Sequence, residues 1–489
     1  MPALVAGLLT AMSVPPMGFW PLGIVGLALL GALLSGQRAR TRALIGFLGG
    51  MGLYGVTISW FTEFNFAGGV VAMMVEAAFL CVAALVTPPG RGRRAGWVGA
   101  VVLQEWVRNH FPFGGVPLGG ISLGQAAGPL APAARIGGEL LLTGVTVLAA
   151  VGLEGLVVGA IRQKRGMLPV WSAAIFPACA VVAAIALPVA GINAPGGRDV
   201  ASLRVALVQG GGRRGLRAID NPASLVLARQ LAASKLIRGP VDLILWPEDV
   251  IALQGPVVGS EAAVQVGQVA VANHAVLLAG VTEDVGTDSF RNAEVVWDDR
   301  GQISGRYDKV HRVPFGEYVP GRALISHFVS LSVIPRDAIA GHGTGELPTQ
   351  AGPVGIVISF EIFFSGRARS AIGAGGQVLL APTNTASYRN TQVATAEIAA
   401  DRIRAWETGR DVLMAAPTGF SAVLDSRGHL LERSRLGAEQ VLEATVHRRT
   451  GRTPYLRWGD VPALAGAGLL IGGAVALSLL DRSVNSGKP

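Results

Sequence analysis

Eight apolar runs constrain this chain more than any other feature. They lie at about 3–14, 17–35, 43–62, 67–87, 95–113, 137–161, 168–190 and 461–480. A helix needs about 20 apolar residues to cross the hydrocarbon of a bilayer, and the later runs are near that length. The first is short and is followed directly by Pro15-Pro16. Hydrophobic residues make up 51% of the 489 and charged residues only 15%, which points to several membrane spans rather than a water-soluble chain. No basic stretch precedes the first run, so a cleaved signal peptide is not expected.

The net charge of +9 admits a nucleic-acid binder until the basic residues are placed. Arg38, Arg40 and Arg42 follow the second run, and Arg91, Arg93 and Arg94 the fourth. Arg162, Lys164 and Arg165 follow the sixth, and Arg482 and Lys488 the last. Clusters after every even-numbered run predict eight spans with both termini in the cytoplasm. A nucleic-acid surface predicts one basic face instead, so no nucleic acid is expected as a partner. The expected organisation is spans one to seven in 1–191, an extracytoplasmic domain in 192–458, and the eighth span with a cytoplasmic tail in 459–489. Cys81 and Cys179 both fall in apolar runs and are expected to be small core residues. No metal site or disulfide framework is implied.

The fifth run continues into E-W-V-R-N-H-F-P-F, with Glu105 and Arg108 one helical turn apart. An ionisable pair at membrane depth is either a functional hint or a structural ion pair near the interface. Glu105, Trp106 and Arg108 are therefore candidate lipid contacts. Pro112, Gly114, Gly115, Pro117, Gly119 and Gly120 then make a loop that cannot continue as helix.

From Ser202 the apolar period changes. Short β runs, among them R-V-A-L-V-Q, V-D-L-I-L-W and Q-V-L-L-A-P-T-N, alternate with helical stretches at about 222–237 and 391–409. This predicts an α/β domain with a largely buried sheet beside the multi-pass helical domain.

Three stretches in the insert carry chemistry. V-G-I-V-I-S-F-E-I-F-F reads as a buried strand with Ser359 at its end and Glu361 two residues on. A polar residue just past a strand end is where α/β enzymes place reacting groups, though Ser359 could simply cap the turn while Glu361 faces solvent. L-I-L-W-P-E-D-V puts Glu248 at another strand end. R-Y-D-K-V-H-R-V-P-F-G-E-Y-V-P holds Lys309, Phe315 and Glu317 in a loop shaped by Pro314, Gly316 and Pro320. A carboxylate that takes a proton, an ammonium that stabilises an oxyanion and a nucleophile that carries an acyl group form an acyl-transfer set. Only four lysines occur among the 41 basic residues, so Lys309 stands out. Its compact charge suits the oxyanion role better than a planar guanidinium. Phe315, Leu324, Ile325, Phe328, Leu331 and Ile334 suggest an apolar loop surface toward a bilayer, or ordinary core packing.

W-P-E, Y-D-K-V-H-x-V-P-F-G-E-Y-V-P and I-S-F-E resemble the Glu–Lys–Cys signatures of the nitrilase (carbon-nitrogen hydrolase) superfamily. With the eight-run frame, E-W-V-R…F-P-F-G and A-x-D-R-I-R-A-W-E-T-G-R, the chain resembles the bacterial apolipoprotein N-acyltransferases along its whole length. The resemblance implies an α/β nitrilase-like sandwich on a multi-pass protein of the bacterial inner membrane, working without a cofactor. It implies transfer of an acyl chain from a phospholipid to the enzyme, then to the α-amine of a diacylglyceryl-cysteine lipoprotein. Glu248 matches the base and Lys309 the oxyanion partner. Glu317, Glu361 and Phe360 match supporting positions, the two carboxylates being expected to position the lysine.

The resemblance puts cysteine where this chain has Ser359. A thiol ionises at about pH 8.5, whereas a hydroxyl needs a stronger or better aligned base. Three readings follow: Ser359 is a nucleophile that forms an oxygen ester, the chain is an impaired relative that binds lipid or lipoprotein, or a cysteine was replaced by design. A fourth, from another reaction class, is a membrane-anchored amidase or nitrilase.

Overall fold

Side-chain alternation builds the segment between residues 195 and 456. The computed structural model describes residues 1–165, 171–215, 222–327, 334–388 and 391–486. In it the chain divides into two compact units, Pro195–Leu456 and Met1–Ala194 with Arg457–Pro489. Phe328, Leu331 and Lys488, named above, lie outside the described residues.

In the strand Arg198–Gln209, Leu203, Val205 and Leu207 point to one face and Ala206 and Val208 to the other. Leu243 and Leu245 repeat this against Ile244 and Trp246. Both faces are apolar, so the sheet is covered on both sides, as the period of two requires. Its spatial order is Gln440–Thr450, Arg198–Gln209, Leu243–Leu245, Val276–Val285, Ser289–Trp297 and Ile303–Asp308. Short strands Ile251–Leu253 and Asp337–Ala338 pair beside this path. A second sheet runs Leu430–Arg433, Ala422–Leu424, Val412–Ala415, Leu379–Pro382, Val354–Ile356, Glu346–Leu347.

The inward faces meet in one core. Val205, Leu245, Leu278 and Val296 of the larger sheet pack with Ile356, Ile358, Leu380 and Leu413 of the smaller. Outside the larger sheet, helices Ala223–Ser234 and Glu261–Asn273 pack on Trp246, Leu277 and Trp297. Outside the smaller one, helices Ser365–Gly373 and Gln392–Thr408 pack on it and on each other. The result is an α/β sandwich with helices outside two facing sheets. Parallel pairing of Arg198–Gln209, Leu243–Leu245 and Val276–Val285 brings their C-terminal ends to one edge. The parallel strands Val354–Ile356, Leu379–Pro382 and Val412–Ala415 do the same in the second sheet.

Each of the eight apolar runs becomes a helix: Pro2–Ala11, Trp20–Leu33, Ala39–Thr57, Phe66–Val86, Arg93–Arg108, Ala134–Lys164, Trp171–Asn193 and Val461–Ser486. Among the described residues, four helical stretches are long and apolar enough to cross a membrane: Phe66–Val86, Ala131–Lys164, Ala174–Asn193 and Val461–Leu480. The others are short or charged. Much of that charge is paired: Arg93 and Arg94 both pair with Glu154, and Arg93 also donates to Gly31 O. Arg42 donates to Leu85 O at 3.2 Å. Glycine permits close helix approach. A Cβ at Gly46 would stand 2.6 Å from Leu80 O, and one at Gly50 2.6 Å from Ala77 Cα. Cys81 is half-buried and Cys179 exposed, so neither is the core residue expected; both sit on apolar helices whose outer faces need no polar cover.

Trp297 tests the outer core. It is fully buried, and its indole nitrogen donates to Ala263 O at 3.1 Å. Trp297→Ala is expected to destabilise Pro195–Leu456 by about 3–5 kcal/mol. Urea unfolding followed in detergent, compared with the parent chain, checks this.

Candidate active site

Lys309 directly follows the strand Ile303–Asp308 and is 2% exposed. A buried ammonium needs counter-charges, and it has two: Nζ donates to Glu248 Oε1 and to Glu317 Oε1, each at 2.7 Å. Burial alone lowers a lysine pKa; here the two carboxylates outweigh it and hold the ammonium well above the ordinary value. Asn292 locks the pair of acids from the neighbouring strand, donating to Glu248 Oε1 at 2.9 Å and Glu317 Oε1 at 3.1 Å. Asn292 O also accepts the Lys309 amide at 2.9 Å. Glu317 Oε2 accepts the Val313 amide, closing its own loop.

Glu248 follows Trp246-Pro247 at the end of strand Leu243–Leu245 and is 5% exposed. Gly280 backs this turn. A Cβ there would sit 2.4 Å from Glu248 Cα, so only glycine lets the two backbones approach.

Ser359 stands past the strand Val354–Ile356 with φ +49°. Asp249 and Phe315 have φ +56° and +58°. Each of the three motif stretches thus carries one non-glycine residue in the left-handed region, a strain of about 1–3 kcal/mol apiece that clusters at functional sites. Glu361 over-determines the Ser359 turn. Its carboxylate is fully buried and does not face solvent. Oε2 accepts the Ile358 amide at 2.9 Å, and Oε1 accepts the amides of Val310 and His311 at 2.8 and 2.9 Å. Tyr307 OH donates to it as well, at 2.9 Å to the nearer oxygen, and itself accepts from Arg367 at 2.6 Å. Of the two carboxylates expected to position the lysine, Glu317 touches the ammonium. Glu361 instead grips the backbone on the far side of Lys309. Phe360 is buried and packs edge-on to Phe364, whose ring stacks on His311 at 4.2 Å.

Among the described residues, Ser359 makes no hydrogen bond to Glu248 or Lys309. Its Oγ lies 3.2 Å from Thr383 Oγ1, which lies 2.6 Å from Glu397 Oε1. Burial, with the charge of Glu248 adding, pushes Glu397 up to about 8 despite the Thr383 hydrogen bond and the Lys309 charge. Glu248 and Lys309 thus act electrostatically on the group that reaches Ser359. Burial and the Glu248 charge also hold Glu294 well above the carboxylate range. Asn292, Tyr307, Thr383 and Glu397 escape a sequence reading. Asn292 and Tyr307 sit at ordinary strand positions; Thr383 repeats the strand-end position of Ser359, which is the one available signal. No group of three or more His, Cys, Asp or Glu could hold a metal ion among the described residues.

The remaining sequence candidates lie elsewhere. Arg108 and Glu105 are 1% and 2% exposed and closed on each other at 3.0 Å. Arg108 also pairs with Glu76 at 3.2 Å and donates to the carbonyls of Val116 and Leu118. That is the structural ion-pair arrangement, and it fixes the glycine-proline loop. Trp106 is half-buried against Val102, Leu140, Ala463 and Ala467. Phe315 and Leu324 are exposed.

Comparison with known proteins follows the same division. The apolipoprotein N-acyltransferase N-terminal domain family matches residues 6–152, and the carbon-nitrogen hydrolase family matches 204–455. An apolipoprotein N-acyltransferase of Mycolicibacterium smegmatis is 30% identical over 94% of this chain and 82% of its own. One from Geobacter metallireducens is 27% identical over 98% of this chain and 95% of its own. The crystal structure of Saccharomyces cerevisiae Nit3, of the nitrilase superfamily, covers 52% of this chain and 92% of its own at 18% identity, with a TM-score of 0.36.

Removing the Glu361 carboxylate orphans the Ile358, Val310 and His311 amides and the Tyr307 hydroxyl. Each buried unsatisfied group costs about 1–3 kcal/mol. Glu361→Ala is expected to lower the melting temperature in detergent by several degrees and to expose the 309–320 loop to proteolysis. An unchanged melt and digestion pattern overturns the assignment.

Proposed function

Because the chain belongs to the apolipoprotein N-acyltransferase family, we propose that Glu248, Lys309 and Ser359 carry its acyl transfer from phospholipid to the N-terminal amine of diacylglyceryl-cysteine lipoproteins. The observation that supports this most is the desolvated trio of one ammonium between two carboxylates. With both acids ionised it carries a net charge of minus one, so it can accept one proton.

In the first half-reaction Ser359 Oγ attacks the carbonyl carbon of a phospholipid ester, and its proton passes to Glu248. Protonation of Glu248 loosens its hold on Lys309, whose N–H then turns to the tetrahedral oxyanion while Glu317 keeps the ammonium paired. The bond from carbonyl carbon to glycerol oxygen breaks, that oxygen takes the proton from Glu248, and a lysophospholipid leaves. Ser359 is left as an ester. In the second half-reaction the lipoprotein amine attacks the ester carbonyl and loses a proton through Glu248. The C–O bond to Ser359 breaks, Oγ regains a proton, and an amide is formed.

Phospholipid and lipoprotein both meet this enzyme at a membrane. Our reading puts eight spans in the bacterial inner membrane, both termini in the cytoplasm and residues 192–458 on the outer side. It rests on the alternation of basic clusters. The exposed Phe315 and Leu324 would then meet acyl chains.

Incubation of the protein and of Ser359→Cys with phospholipid is expected to yield an acyl adduct on residue 359, detected by mass spectrometry. No adduct on either version rules the nucleophile out; an adduct on the cysteine version alone marks the native chain as a lipid binder. Lys309→Arg is expected to lower adduct formation by about 10²–10³, the usual worth of one oxyanion donor. Activity near that of the parent makes Lys309 structural.

A further inference from the structure

The proposed chemistry leaves one contact of the nucleophile unused. The strands Val354–Ile356 and Leu379–Pro382 are parallel, with Leu380 opposite Ile356. Three residues further on, the same register sets Thr383 beside Ser359, and their hydroxyl oxygens are 3.2 Å apart. Thr383 Oγ1 is in turn 2.6 Å from Glu397 Oε1, on the second turn of helix Gln392–Thr408. Glu397 is 2% exposed, its other carboxyl oxygen has no hydrogen-bond partner, and no cation pairs with it among the described residues. Glu248 and Glu317, by contrast, share the Lys309 ammonium.

We propose that Glu397, through Thr383, is a positioning residue for the Ser359 hydroxyl, which deepens the reading of Ser359 as nucleophile and rests on it. A hydroxyl donates one hydrogen, so the direction of this chain is set at its far end. With Glu397 a neutral acid, its O–H donates to Thr383, and Thr383 donates to Ser359 Oγ. The Ser359 hydrogen then remains for Glu248 to take. With Glu397 ionised, Thr383 turns to the carboxylate and the Ser359 hydrogen turns to Thr383, away from the base.

The surroundings favour the neutral acid. Burial above all, with Glu248 adding and Thr383 and Lys309 opposing, raises the Glu397 pKa to about 8. Burial chiefly, with the Glu397 charge adding whenever that acid is ionised, raises Tyr388 and, on the same helix, Asp401. Of the elements packed on this helix, strands Val412–Ala415 and Ala422–Leu424 carry no titratable group. The Ser359–Phe363 turn brings Glu361, and helix Ser365–Gly373 brings Arg367 and Arg369. Glu361 and Arg367 face one another at 3.7 Å. A folded pKa near the working pH gives an alkaline limb: activity present below about pH 8 and falling above it.

The test measures the rate of acyl-adduct formation on residue 359 against pH, in the full chain with phospholipid vesicles. Glu397→Ala and Thr383→Val are expected to slow it on the order of 10–100-fold with little change in the lipid concentration for half-maximal rate, as for a misaligned reacting group. Glu397→Gln cannot ionise but still donates; it is expected to recover most of the rate at pH 7 and to abolish the alkaline limb. Thr383→Ser recovers what Thr383→Val loses. A limb that persists in Glu397→Gln, or conservative variants as slow as Glu397→Ala, overturns the proposal. Ser359→Ala is the separate control: adduct formation or transfer that survives it removes the nucleophile reading, whatever Glu397 does.

Discussion

A single buried ammonium sets the terms for the rest of the catalytic unit. Lys309 cannot be desolvated without anions close by, and Glu248 and Glu317 arrive from different stretches of chain to supply them. Those stretches must therefore converge on one nitrogen. The sandwich meets this demand with register. Glu248 leaves the strand that pairs with Val276–Val285, Asn292 comes from the next strand, and Lys309 from the one after. The cluster is a cross-section through four neighbouring strands, and that is why it is rigid.

Rigidity and reactivity pull against each other here. Two carboxylates share one ammonium, each at 2.7 Å from its nitrogen, and hold it in place. The Ser359 hydroxyl, proposed to give the proton, instead meets Thr383 at the strand ends of the facing sheet. On the proposed reading the site has two halves, Lys309 with its two carboxylates and Ser359 with Thr383, and acyl transfer begins when the hydroxyl half passes one proton to the ammonium half.

The strand-end acids and the lysine were legible in the sequence because each follows an apolar run or sits in a loop with a proline or glycine beside it. Glu248 after L-I-L-W-P and Ser359 after V-G-I-V-I are cases of one rule. Asn292, Thr383 and Glu397 were not legible, since their importance comes from register between strands distant in the chain, which no local pattern records. The edge strand Gln440–Thr450 is illegible for a similar reason. Its Q-V-L-E-A-T-V-H-R-R-T is too polar for a buried strand, yet it pairs along the full length of Arg198–Gln209. In the helical unit the eight runs are plain and each becomes a helix, but their apolarity does not reveal how the charges among them are paired. Arg93–Arg108 carries four charges of its own, and Arg93, Glu105 and Arg108 find partners inside the bundle.

Glu361 differs from the other acids in what it holds. Among the described residues, its oxygens take amide hydrogens from residues 310, 311 and 358 and meet side chains only from Tyr307 and Arg367. A grip on main chain is indifferent to residue type. At 310 and 311 it forbids proline and makes no demand of its own on the side chains, which are held instead by packing, Val310 against the inter-sheet core and His311 on the Phe364 ring. The course of the main chain beside Lys309 is therefore fixed by one carboxylate, independently of the side chains that pack around it.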